Sequence, residues 1–227
     1  MTTKQIVFNP NFHKDVNEIF NLSLSSNEIN KIVKNATANS PLTTDEKKAG
    51  VLSLDKKLKT FIDRVEFIKH LKILSDNAKK QNFLIDQHEV VGVDWDINAL
   101  RLYLSLTCID IFFDANNHKD HFEIVFNNIS QPLETLLLNN LKIIENGNEL
   151  LNRTEFSLFF YNIRNSYTHA GIRFHSDGTS MFTLNQDFVV GNAKNKTTKA
   201  LQIKKGFDLI EFILNVSIEN AKKKFNF

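Results

Sequence analysis

Along most of this chain apolar residues return every three or four positions, the spacing of one face of an α-helix, and short polar stretches separate the segments that carry it. VNEIFNLSLSSNEINKIVKNA, 16–36, predicts one or two short helices ending before NSPLTTDE, where Pro41 interrupts the chain and Thr43 or Thr44 caps the next helix. From 45 to 80 a long helix or a broken pair is expected. Within it Leu54, Leu58, Phe61, Ile62, Val65, Ile68 and Leu71 form an apolar stripe, and Lys56, Lys57, Lys59 and Lys69 fall on a solvated face.

DINALRLYLSLTCIDIFFDA, 96–115, is apolar nearly all round, as expected of a central helix packed on several sides. Its polar residues Tyr103, Thr107, Asp110 and Asp114 are spaced four, three and four apart and make one stripe. Two readings stay open: the stripe faces solvent, or Asp110 points at an Arg or His elsewhere, because an unpartnered buried charge is costly. HFEIVFNNISQPLETLLLNNLKIIE, 121–145, is expected to be helical on both sides of Pro132 and kinked or broken there. ENGNELLNRTE then makes a turn, and a helix runs from about 154 to 170 with Gly171 as its terminator. In IRFHSDGTSMFTLNQDFVVG, short β-prone runs flank SDGTS and predict a small hairpin. A closing amphipathic helix with a basic tail is expected over 199–225.

Scarce Gly (7) and Pro (3), with 42% hydrophobic residues, favour long rigid elements over a turn-rich all-β chain, so the fold class is mainly all-α. At 227 residues one domain is expected. Twenty Phe beside one Trp and three Tyr indicate a core of Phe, Leu and Ile. A net charge of +2 neither announces nor excludes a polyanionic partner, which a local patch can meet. With Cys108 the sole cysteine, an intramolecular disulfide and a cysteine-based zinc cluster are excluded. The N-terminal residues lack a signal-peptide core and no stretch is apolar over about eighteen residues. The expectation is therefore a cytoplasmic protein with no membrane partner.

The unusual stretch is FFYNIRNSYTHAGIRF, 159–174. On a helical wheel Phe156, Phe160, Ile163, Tyr167 and Ala170 form one core-facing stripe, and Arg164, Thr168, Asn165 and His169 occupy the opposite arc. Asn165 and His169 are four apart, so the amide can orient the imidazole and fix its tautomer. Arg164 and His169 sit about 140° apart on an ideal helix, so one copy closes around a small group only if the helix end unwinds. Two copies facing each other across a twofold axis would bring both residues to one cleft.

Arg164 to His169, R-N-S-Y-T-H, resembles the R-x4-6-H signature of the HEPN superfamily, in which a polar residue often follows the Arg. The late position of the motif on its helix, after the apolar LYLSLTCIDIFFD, is also similar to HEPN and abortive-infection-type proteins. The likeness covers 90–225, and the first 90 residues read as additional N-terminal helices of the same domain. It implies a HEPN-like helical bundle acting as a metal-independent endoribonuclease, homodimeric through the motif helix, in a toxin or antiphage setting with an antitoxin or defence-system partner. The alternative is a HEPN-like module that binds RNA or protein without cutting; a third reading makes Arg164 and His169 surface decoration on a helical scaffold.

The residue chemistry agrees with cleavage. An imidazole titrating near neutrality can take a proton from a ribose 2'-hydroxyl or return one to the leaving 5'-oxygen, and an always-charged guanidinium suits the scissile phosphate. His169 is then acid or base, Arg164 the phosphate clamp and Asn165 the residue that orients His169, giving a 2',3'-cyclic phosphate and a 5'-hydroxyl. Asp110 is a supporting residue, and Tyr167 another that packs in the core rather than stacking on a base. No cofactor or metal is expected. His118 and His121 in HKDH have a spacing used by helical metal pairs, but no third ligand is evident and a polar turn is the preferred reading. DWDIN, 94–98, begins like a calcium loop, lacks its Gly and terminal Glu, and reads as a helix cap. No P-loop, dinucleotide fingerprint or nucleophile elbow is present.

Overall fold

The computed structural model describes residues 11–80, 84–85, 88–89, 93–113, 118–145, 147–150, 152–168, 199–204 and 206–227. It is mostly helical, with a small three-stranded antiparallel sheet. The chain forms two compact units, Met1–Asn98 with Ile218–Phe227, and Ala99–Ser217. Among the described residues no helix is long and apolar enough to cross a membrane.

In the first unit the 16–36 periodicity resolves into α1 (Phe12–Phe20) and α2 (Ser26–Asn39). Asn21 at φ 51° ends α1, and Asn17 bridges the break by bonding both the N–H and the carbonyl of Leu24. Ser25 opens α2 with a reciprocal capping box: its hydroxyl accepts from the Glu28 N–H, and the Glu28 carboxylate accepts from the Ser25 N–H at 2.8 Å. Thr43 and Glu46 repeat the device on α3 (Thr44–Lys48). The long element is therefore a broken pair, with α4 (Leu54–Lys80) as its main part.

All seven residues of the α4 apolar stripe are buried, and both α1 and α2 pack on this helix. Lys69 departs from the simple solvated face: its ammonium reaches Glu66 at 2.9 Å and Glu18 of α1 at 3.2 Å. Burial disfavours its charge, yet the two carboxylates prevail and raise its pKa above the usual lysine value. Strands β1 (Leu84–Ile85) and β2 (His88–Glu89) form a minimal antiparallel ladder.

The central helix is α5 (Val93–Asp110), which spans the boundary at Asn98, so DWDIN lies inside its first turns rather than ahead of them. Leu102, Leu106, Cys108 and Ile109 are buried in the second unit. There α6 (His118–Asn127) packs along α8 (Arg153–Thr168). Phe126 stacks on Phe160 with ring centroids 5.3 Å apart, and Phe122 meets Tyr161 edge-on at 6.1 Å.

Three expectations are corrected between 118 and 209. First, HKDH is the opening turn of α6 and not a polar turn. Second, helicity does not run from 121 to 145: α6 ends at Asn127, α7 covers Gln131–Asn140 with Pro132 in its first turn, and LKIIE is strand β3 (Leu141–Glu145). Proline is tolerated at a helix start because that N–H lacks an intrahelical acceptor anyway. Third, the closing helix is shorter than expected, α9 (Leu209–Phe225), because 199–203 forms β5 (Lys199–Ile203).

Once paired, the strands bury alternate residues. Leu141, Ile143, Leu201 and Ile203 are buried, every second residue of two paired strands, and the intervening Lys142 is exposed. β3 is central, flanked by β5 and by β4 (Asn148–Leu150), which returns antiparallel after Gly147 at φ 81°. ENGNELLNRTE, read as a turn, thus holds the end of a hairpin with β4 inside it, and the start of α8. The hairpin predicted around SDGTS lies outside the described residues.

Candidate functional site

The site is built where the C-terminal end of α5, the first turn of α6 and the later part of α8 converge, all within the second unit. Burial on nearly every side of α5 carries Asp110 into this convergence, so its carboxylate is only 10% exposed. The stripe on which it lies does not face solvent: Thr107 is buried and its hydroxyl donates to the Leu104 carbonyl at 2.7 Å. Tyr103 is half-buried, and Asp114 lies outside the described residues.

Asp110 is the hub. Its Oδ2 meets Arg164 Nε at 3.2 Å, and its Oδ1 faces the Nδ1 atoms of both His118 and His121 at 3.3 Å. His121 makes a hydrogen bond there, whereas His118 Nδ1 and Asp110 Oδ2 are buried without one, their neighbours lying off the hydrogen-bonding direction. His121 is buried and stacks on Phe113 at a centroid distance of 4.5 Å; His118 stands edge-on to it at 5.6 Å and keeps 34% of its side chain exposed.

Arg164 reaches Asp110 because Phe156, Phe160 and Ile163 are buried on α8, which fixes the rotation of the helix. The guanidinium is 16% exposed, so Arg164 is not surface decoration. Its Nη1 donates to Asn165 Oδ1 at 3.0 Å. The contact described for Asn165 is therefore with Arg164, while His169, which Asn165 was expected to orient, lies outside the described residues. So do Ala170 and Gly171; of Tyr167 only the helical backbone is described.

Sequence reasoning assigned no role to His118 and His121 because it saw no third group. That group is Asp110, on the preceding helix, and the available signal was an i, i+3 histidine pair opening the element after an isolated carboxylate. One atom each from Asp110, His118 and His121 lies within 4.8 Å of the other two, and imidazole nitrogens with a carboxylate oxygen are donors suited to a first-row divalent ion. No protein-family model, curated protein or solved structure matches this chain.

Proposed function

We propose that this protein is a HEPN-like endoribonuclease that cleaves RNA by attack of a ribose 2'-oxygen on the adjacent phosphorus, expelling the 5'-oxygen to leave a 2',3'-cyclic phosphate and a 5'-hydroxyl. What supports the reading is the fixed guanidinium: Arg164 of the R-N-S-Y-T-H motif is held between the Asp110 carboxylate and the Asn165 amide rather than left as a mobile surface charge. A pre-oriented cation stabilises charge developing on a phosphate without reorganising at the moment of reaction. His169, five residues on, is assigned the proton transfers to and from the two oxygens. The protein acts in the cytoplasm as a homodimer whose motif helices face one another, since residues spaced as Arg164 and His169 are would lie about 140° apart on an ideal helix. A toxin or antiphage role, restrained by an antitoxin or defence-system partner, belongs to the same reading.

The test is incubation of the purified protein with a mixed pool of structured and single-stranded RNAs, with and without EDTA, beside His169→Ala and Arg164→Lys. Arg164→Lys keeps the charge beside Asp110 and loses the planar two-donor edge. Cyclic-phosphate ends that form in EDTA, vanish in His169→Ala and fall at least tenfold in Arg164→Lys are expected. Ends unchanged in His169→Ala refute the assignment, and RNA that is retained but not cut replaces the nuclease with a binding module.

A further inference from the structure

We infer that Asp110, His118 and His121 form a binding site for a zinc-class divalent ion, with Asp110 Oδ1 and an imidazole nitrogen from each histidine as ligands.

Tetrahedral zinc with ligand bonds of about 2.0–2.1 Å sets its ligand atoms about 3.3–3.4 Å apart. Asp110 Oδ1 lies 3.3 Å from His118 Nδ1 and 3.3 Å from His121 Nδ1, so two edges of such a polyhedron already stand in the side chains. One ligand atom from each of the three residues lies within 4.8 Å of the other two, and His118 is the more exposed of the two rings.

Asp110 Oδ1 accepts a hydrogen bond from His121 Nδ1, whereas the buried His118 Nδ1, equally close to it, makes none although it stands at ion-pair distance. His118 Nδ1 and Asp110 Oδ1, close but not aligned along an N–H axis, are placed as two ligands are around one centre, and His121 Nδ1 would exchange its hydrogen bond for the ion. With Nδ1 as ligand, each neutral imidazole carries its proton on Nε2.

The surroundings select the ion and support the ligands. Two nitrogens and a single carboxylate favour a zinc-class ion over magnesium or calcium, which take oxygen donors. Arg164 on the far oxygen of Asp110 fixes which oxygen is presented, the part that outer partners of a metal ligand commonly play. Phe113 stacked on His121 sets that ring's plane. The exposed side of His118 gives the ion and a fourth, water ligand a way in. A bound ion would tie the end of α5 to the start of α6 and hold Asp110 against Arg164. It is not assigned to the reacting phosphate, so this inference does not rest on the nuclease reading.

The experiment strips the full-length protein with chelator, removes the chelator and titrates Co2+ while following its visible d–d absorption; Zn2+ is then added and metal per chain measured by mass spectrometry. One Co2+ per chain, with the intense bands of four- or five-coordination and displaced by equimolar Zn2+, is expected. His118→Ala, at the more exposed ligand, should weaken uptake by at least about 30-fold, and Asp110→Asn should do likewise. His70→Ala, an exposed histidine on α4 in the other unit, should leave it unchanged. Absence of saturable uptake overturns the site, as does uptake that survives both ligand substitutions. The readout is optical and needs no RNA, so failure here and failure of the cleavage assay are told apart.

Discussion

Replacing Asp110 by Asn keeps the shape of the hub and removes its charge. At 3.2 Å the Asp110–Arg164 contact is worth about 5 kcal/mol of Coulomb attraction at an effective dielectric near 20. Most of that is offset by the desolvation both groups suffer, so the intact pair contributes little net stability. The substitution is unequal to removing the pair, because it leaves a guanidinium that is 16% exposed facing a neutral amide and deprives His121 of a charged acceptor. Uncompensated buried charges cost about 3–5 kcal/mol, and the Asn carbonyl recovers part of this, so a loss of about 2–3 kcal/mol is expected. Urea unfolding followed by circular dichroism at neutral pH, in chelator, should show the midpoint falling with an unchanged slope, and Tm should drop by about 4–12 °C. Arg164→Met combined with Asp110→Asn should restore part of the loss, giving a coupling energy of about 1–3 kcal/mol. A single substitution within about 0.5 kcal/mol of the parent, or strict additivity in the double variant, would refute the claim that Asp110 exists to hold Arg164.

Two further outcomes test the scaffold rather than the site. Phe160→Ala should cost about 3–5 kcal/mol in the same unfolding assay, because the ring is fully buried against Phe126, Phe156 and Phe159; Leu136→Ala, 46% exposed, should change stability by no more than about 0.5 kcal/mol. The Ser25–Glu28 capping box predicts a pH dependence. The Ser25 hydroxyl and N–H hold the Glu28 carboxyl below its ordinary value of 4.5, so its contribution is complete above that pH and disappears as pH falls through the lower folded value. The stability difference between the parent and Glu28→Gln should therefore shrink on acidification below 4.5, and a difference flat across that range contradicts the assignment.

How much of this was legible beforehand differs by element. Period-3.6 apolar stripes over α4 and α8, and the nearly all-round apolarity of α5, located long helices, because a helix face that must leave water records its geometry in spacing alone. Thr43 and the break after NSPL were legible for the same local reason: a cap bonds to residues three positions away. LKIIE and KALQI were not read as strands. Each is short enough to suit either period, and what decides is the partner: β3 satisfies its backbone on β4 and β5, the latter more than fifty residues distant.

The site divides along the same line. That Arg164 and Asn165 lie late on a helix whose opposite face is apolar, and that Asp110 is an isolated charge on an oily helix, could be read from the residues in order, since both facts follow from side chains repeating along one axis. That Asp110 serves Arg164, His118 and His121 together follows only from the packing of α5, α6 and α8. The bearing of one helix on another is set by how Phe122, Phe126, Phe156 and Phe160 interlock, and a contact between a residue at the end of α5 and one on α8 leaves no periodic trace in either segment. Burial then turns that proximity into chemistry, because charges withdrawn from water must find one another or an ion.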